Sequence, residues 1–305
     1  MTEKDGKLYG RGTCDMKGFV AVCMSLTPEF LAMKRAKPIH FAWSYDEEVG
    51  CLGGKVLTEF LHDNNIKADG CIVGEPTSNT VVIAHKGRGS WRIRVYGKAV
   101  HSSYALTDQG CNAIDYAAKL IVKIREIAED VKFHGPVDRF FDVPFSTVST
   151  NIIQGGNAVN TVPALCEFFY EVRNLPVVEA KSIHQRVQAF VDGELLPAMK
   201  REFPEGRIEI EELSYVSAFK DADEKDPFTV LLRRLAKDSA VRKVAYGTEA
   251  GQYQGLSMPV IVLGPGSILQ AHQPNEFVTL EQLDGCANIL RRVVQCDTSG
   301  AKPHL

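Results

Sequence analysis

Four carboxylates and one imidazole carry the most suggestive chemistry in this sequence. Asp15 follows the glycine-flanked run Gly10-Arg11-Gly12 and opens a helical pattern, while Glu47 and Glu48 stand just past an apolar run at 39–45. Glu75 stands just past a second apolar run at 71–73, and His272 lies a few residues beyond a third at 259–263. In open α/β sheets, ligands bind beyond the carboxyl ends of the strands. Carboxylates and an imidazole converging on one such edge form a donor set for hard or borderline divalent metal ions. Each residue also has an ordinary reading. Asp15 could cap a helix or answer its dipole. Glu47-Glu48 could be a solvated loop, Glu75 before Pro76 a plain turn, and His272 an exposed or hydrogen-bonded loop histidine. Their shared location at strand-to-loop and loop-to-helix junctions favours the metal reading.

The elements that must position these groups can be read from periodicity. Helical patterns cover 16–35 and 51–64, and buried strands are expected at 39–45 and 71–73. Strands separated by helices imply a parallel sheet covered on both faces. The pattern changes after His85. A half-buried strand is expected at 90–96, a helix at 109–129, strands at 146–154 and 164–172, a helix at 178–199 and a strand at 207–213. That order is the order of a ferredoxin-like α+β sandwich. Alternation then resumes, with a helix at 227–239, a buried strand at 259–263 and a terminal helix at 280–296. The expected fold is therefore α/β. A metal-binding domain with a parallel-rich sheet is built from 1–85 and 214–305, and an α+β domain is inserted at 86–213.

Composition narrows the functional classes. A chain of 305 residues with a formal net charge of -3 has no basic field to hold nucleic acid. No apolar run reaches membrane-spanning length. The mixed-charge residues 1–7 do not resemble a signal peptide, and the 8 cysteines show no CxxC spacing. They read as reduced thiols of a cytoplasmic protein. Gly155-Gly156-Asn157 is not followed by Gly-Lys-Ser/Thr and is no phosphate loop.

Several motifs carry a family resemblance. The run LYGRGTCDMKG at 8–18, DEEVG at 46–50, GEPT at 74–77, and GPG at 264–266 followed by AHQPNE at 271–276 stand in order along essentially the whole chain. They resemble the metal motifs of the co-catalytic metallopeptidase family that includes acetylornithine deacetylase and succinyl-diaminopimelate desuccinylase. The GPG run and GTEA at 247–250 are similar to the acetylornithine branch. The resemblance implies a catalytic domain with a lid and dimerisation domain, and two divalent metal ions, zinc or cobalt. It implies that Asp15 bridges the two ions, that Glu48 and His272 complete one site, and that Glu75 serves the other. Glu47 would then be the general base.

GKAVHSS at 97–103 resembles the family's lid motif, in which His101 would donate to the tetrahedral oxyanion from the partner subunit of a homodimer. Asn160 in VNTVP and Arg173 in EVR resemble residues that hold a substrate carboxylate, and Gly266 would join the substrate-binding set. Without the resemblance, His101 reads as a strand-end or capping histidine and Arg173 as a surface charge. The implied substrate is a small N-acyl amino acid, foremost N2-acetyl-L-ornithine in arginine biosynthesis. Succinyl-diaminopimelate, another N-acyl amino acid or a dipeptide are the alternatives. The family's first metal motif, a His-x-Asp ahead of the Asp15 motif, has no counterpart in residues 1–14. The expectation is thus a chain without that segment, with one metal site incomplete and low activity. A non-catalytic dimerising homologue is the competing reading from another functional class.

Overall fold

Short strands and amphipathic helices alternate from the first residues onward in the computed structural model, which describes residues 1–35 and 37–298. The chain opens with β1 (Thr2–Lys4), β2 (Lys7–Tyr9), α1 (Gly18–Ala32), α2 (Leu52–Asp63), β3 (Cys71–Val73) and β4 (Ala84–His85). The middle comprises β5 (Gly87–Tyr96), β6 (Val100–His101), α3 (Ala113–His134), β7 (Thr147–Gly155), β8 (Thr161–Val162), β9 (Leu165–Asn174), α4 (Ala180–Phe190), α5 (Leu196–Glu202) and β10 (Arg207–Val216). It closes with α6 (Pro227–Ala236), β11 (Lys243–Val244), α7 (Ala250–Tyr253), β12 (Val260–Val262), β13 (Phe277–Thr279) and α8 (Leu280–Thr298). Two compact units result. One joins 1–85, 219–244 and 248–305, and the other joins 86–218 and 245–247.

In the first unit β3 pairs in parallel with β12, and β4 pairs in parallel with β11. Val260, Ile261 and Val262 are all buried, as expected of a strand covered on both faces. The hairpin of β1 and β2 extends through β13 into a three-stranded antiparallel sheet that periodicity did not indicate. These strands have 3 residues each, too few for an alternation signal to rise above chance. Phe19, Val22, Leu26 and Phe30 of α1 pack with Cys286 and Leu290 of α8. Helix α6 starts where Asp226 accepts from the Phe228 N–H and Pro227 takes the first turn, and it stops at Lys237 in a left-handed conformation.

The strand expected at 39–45 does not form. Phe41, Trp43 and Tyr45 are exposed, with Phe41 and Trp43 stacked at 5.9 Å between ring centroids. An apolar run becomes a strand only when a neighbour supplies its ladder hydrogen bonds, and none of the described strands pairs with this segment.

The second unit is an antiparallel sheet in the order β10-β5-β9-β7. Its elements follow the sequence strand, helix, strand, strand, helix, strand, which is the ferredoxin-like connectivity. One face is a single apolar core. Trp91, Ile93 and Val95 of β5 and Phe168, Tyr170 and Val172 of β9 meet Leu120 and Ile124 of α3 and Val187 of α4. Helix α3 spans Ala113–His134 against the expected 109–129, starting with the first residue of its apolar stripe. Cys111 exchanges backbone hydrogen bonds with Lys98 (2.9 and 3.0 Å), so the chain is still extended there. Asn112 then caps the helix through the N–H of Ile114 and Asp115. Strand β10 likewise runs past the expected end at 213, to Val216.

Phe168 lies at the centre of this core with 0% exposure. Truncating it to Ala should lower unfolding free energy by about 3–5 kcal/mol, read as a shift of the urea midpoint with an unchanged m-value.

Candidate metal centre

The loop that carries Asp15 is held by a buried carboxylate. Glu276 Oε1 accepts from the backbone N–H of Cys14 (2.9 Å) and Asp15 (3.0 Å), and Oε2 accepts from Gly12 N–H (2.9 Å) and Arg11 Nη1 (3.0 Å). Gly12, at φ 81, provides the left-handed turn that aims these amides at one point. Burial opposes the charge on Glu276, but the N–H groups of Gly12, Asp15 and Cys14 outweigh it and hold the carboxyl below its usual range. Gly266 closes against the same loop at φ 85, and a Cβ there would come within 2.6 Å of Cys14 Sγ. Sequence reasoning gave Glu276 no role. The available signal was an acid four residues after His272, directly before a strand.

Glu47 and Glu48 sit in a turn of unusual backbone. Asp46 and Cys51 have φ of 52° and 56°, and the N–H groups of Gly50 (3.0 Å) and Cys51 (2.8 Å) both donate to the Glu47 carbonyl. The two adjacent side chains diverge. Glu47 accepts from Cys51 Sγ at 3.3 Å. Glu48 reaches His272, whose Nε2 lies 3.1 Å from Glu48 Oε2 and 3.3 Å from Asp15 Oδ2. His272 itself is left-handed at φ 58, a region in which histidine is enriched among non-glycine residues.

One donor atom each of Asp15, Glu48 and His272 lies within 4.8 Å of the others. Ligand atoms about 2.05 Å from a tetrahedral zinc-like ion are about 3.3 Å apart, so the His272 distances match the edge of such a polyhedron. Glu75 stands beside this group. It is buried, and its carboxyl is within hydrogen-bonding reach of Asp15.

The electrostatics are strained in one direction. Burial, then Glu48, raises the Asp15 carboxyl, with His272 opposing. Burial also raises Glu47, helped by Glu48 and Asp15 and opposed by the Cys51 thiol. Glu75 is raised well above the usual range by burial, then by Asp15, Glu47 and Glu249. Poorly solvated carboxylates gathered this closely need protons or a cation between them. Oxygen, oxygen and nitrogen donors at tetrahedral spacing fit a divalent ion.

In the second unit, His101 and Asn160 are neighbours. His101 pairs with Thr161, and the N–H of Ser102 donates to the Asn160 carbonyl at 2.9 Å. Both residues are exposed, and His101 Nδ1 lies 2.8 Å from Ser103 Oγ. Arg173 is not with them. It lies near the far end of β9 from Leu165, some eight residues or about 26 Å along the strand, and its Nε donates to Glu171 at 2.7 Å.

Comparison with known proteins defines the class. The model of Peptidase family M20/M25/M40 matches residues 1–295. The acetylornithine deacetylase of Pasteurella multocida is 33% identical over 297 residues, covering 96% of this chain and 73% of that protein. That of Photorhabdus laumondii is 34% identical, with the same coverage of each. The crystal structure of aminopeptidase PepT from Bacillus cereus superposes with a TM-score of 0.68 at 21% identity, covering 98% of this chain and 76% of that one. A metallo-carboxypeptidase of the M20 family from Sulfolobus solfataricus gives 0.68 at 14% identity, covering 98% and 79%. The chain belongs to the M20/M25/M40 peptidase family. It is a hydrolase acting on amide bonds, of a metal-dependent kind.

Replacing Glu276 by Ala leaves three buried N–H groups without an acceptor. The change should cost about 1–3 kcal/mol per orphaned group at most, read by thermal melting. Calorimetric titration with zinc should show weaker binding, because the loop that presents Asp15 loosens.

Proposed function

We propose that the chain is a metal-dependent deacylase that hydrolyses N2-acetyl-L-ornithine to L-ornithine and acetate, the ornithine-forming step of arginine biosynthesis. The observation that carries the reading is the grouping of Asp15, Glu48 and His272 at ligand spacing with Glu47 in the adjacent turn. The substrate assignment is supported by relatives named acetylornithine deacetylase at 33 to 34% identity over nearly the whole chain. Two zinc or cobalt ions complete the proposal, the second of them with only Asp15 and Glu75 to hold it among residues 1–305, so the activity of this chain is expected to be low. Asp15 is shared between them, Glu48 and His272 serve one, and Glu75 serves the other. A carboxylate suits the shared position because it offers two oxygens and a negative charge between two cations.

A bound divalent ion supplies Lewis acidity towards water and towards the amide carbonyl. The rest falls to the chain. Glu47 accepts a proton from the attacking water as the water oxygen bonds to the acetyl carbon. It then delivers that proton to the ornithine α-nitrogen as the carbon–nitrogen bond breaks, and the second water proton, left on the new carboxyl, passes to the freed amine, so acetate and the ammonium form of ornithine leave. Burial raises the Glu47 carboxyl, which brings its affinity for a proton nearer to what such a shuttle needs. His101 is assigned to the oxyanion, and Asn160 and Arg173 to the substrate carboxylate, with Gly266 in the substrate-binding set. Because Arg173 lies far along β9 from Asn160, the two meet one carboxylate only if they come from different copies of the chain. This favours a homodimer. Strand β7 is a sheet edge, with Ile152 and Ile153 50% and 53% exposed, the kind of edge that pairs with a second chain.

Three outcomes test this. Glu47→Gln should retain zinc while ornithine release falls about 10²–10⁴-fold, whereas Glu48→Gln should lose zinc affinity. Equal turnover by Glu47→Gln and the parent would refute the assigned base, and faster turnover of succinyl-diaminopimelate or a dipeptide than of acetylornithine would refute the substrate. Prolonged dialysis against a chelator should abolish hydrolysis, and zinc or cobalt should restore it. Light scattering should give twice the chain mass, and Ile153→Lys should return it to the mass of a single chain.

A further inference from the structure

Glu47 and Glu48 are carried by segment 44–51, half of it exposed, whose backbone hydrogen bonds are one internal turn and two from the start of α2, Leu52 N–H to the Asp46 carbonyl (3.2 Å) and Gly53 N–H to the Tyr45 carbonyl (2.9 Å). Apart from the contact of Glu48 with His272, its side-chain and long-range ties converge on one short element. Glu249, buried immediately before α7, accepts from Ser44 Oγ at 2.8 Å through Oε2. The hydroxyl of Tyr253, one turn further on, donates to the same oxygen at 3.2 Å. Gln252 Nε2 donates to the Cys51 carbonyl at 3.0 Å. One end of the segment is thus tied through Ser44 and the other through Cys51, whose thiol in turn reaches Glu47 Oε1 at 3.3 Å. Room for both ties comes from Gly54 of α2. A Cβ there would come within 2.1 Å of Gln252 Oε1 and 2.6 Å of Glu249 Oε1.

We infer that Glu249 and Gln252 are positioning residues that clamp the two ends of segment 44–51, so that Glu47 and Glu48 keep separate directions. The inference rests on the roles proposed above for those two residues. Neither Glu249 nor Gln252 is assigned to touch substrate or metal. Their action passes through Ser44 and Cys51. Partners that orient metal ligands from behind typically change metal affinity or activity by ~10–100-fold when removed, and the clamp should act on that scale.

The test uses the full chain and zinc chloride as the probe. Gln252→Met keeps the volume and removes the donor, and Glu249→Leu removes the acceptor for Ser44. Each should weaken zinc binding by roughly tenfold or more in calorimetric titration, and should speed amide hydrogen exchange at 50–53. Each should also lower kcat with little change in KM. Glu249→Gln keeps an oxygen for Ser44 and Tyr253 and should rescue most of the loss. Gly54→Ala displaces Gln252 and crowds Glu249, so it should reproduce the loss of zinc affinity and the faster exchange, whatever the balance of helix propensity and overpacking does to the melting temperature. A purely structural role predicts the reverse, with melting temperature falling and zinc affinity unmoved. That result, or no rescue by Glu249→Gln, overturns the clamp. Parallel Glu47→Gln and Glu48→Gln proteins separate the two failures. If they behave as proposed while the α7 variants bind zinc and exchange like the parent, the clamp alone is wrong. If Glu48→Gln binds zinc like the parent, the underlying site assignment is wrong and the clamp falls with it.

Discussion

Mutual repulsion among carboxylates in a poorly solvated space is the constraint on which the rest of the first unit depends. Asp15, Glu47 and Glu75 are each raised by burial and then by neighbouring carboxylates, Glu48 among them in every case. Left to itself, such a cluster would spread into water, since each desolvated charge adds to the cost of the next. It persists because its members are fastened from behind by groups that are not themselves in the cluster. A divalent ion turns the same repulsion into attraction, which is the physical basis of a metal centre in this fold.

The fastening uses backbone more than side chain. Glu276 gathers the amides of Gly12, Cys14 and Asp15, so a buried negative charge is satisfied by N–H dipoles, and those amides fix the direction of the loop. Left-handed residues recur where chain direction must reverse sharply, at Gly12, Asp46, Cys51, Gly266 and His272. Non-glycine residues in that region are uncommon and carry local strain. Here three of them lie in or beside the candidate site, where packing from β13 and α7 over-determines the conformation.

The second unit follows a different logic. Its sheet and helices bury one apolar face, and the groups assigned to substrate sit at its margins. His101 and Asn160 share one short antiparallel pairing, while Arg173 lies towards the other end of β9. The distance along that strand, set by the rise of extended chain, makes the oligomeric state part of the chemistry proposed for this protein.

Much of this was legible from sequence because the signals are local. The alternation at 90–96, the apolar stripe of α3, the buried run at 259–263 and the acids at strand ends need only the periods of strand and helix and the residue types that turns accept. The motifs at 8–18, 46–50, 74–77 and 264–276 pointed to the M20/M25/M40 family, and the comparisons bear that out. What the sequence by itself could not decide depends on partners far away along the chain. The apolar run at 39–45 has the composition of a strand but no ladder beside it, so it stays irregular. Glu276 and Glu249 look like ordinary acids until folding brings them against residues about 260 and 205 positions away. Whether a carboxylate is solvated, buried against amides or pressed against another carboxylate is a property of tertiary packing, because desolvation and Coulomb energy depend on distance in space and not on distance in sequence.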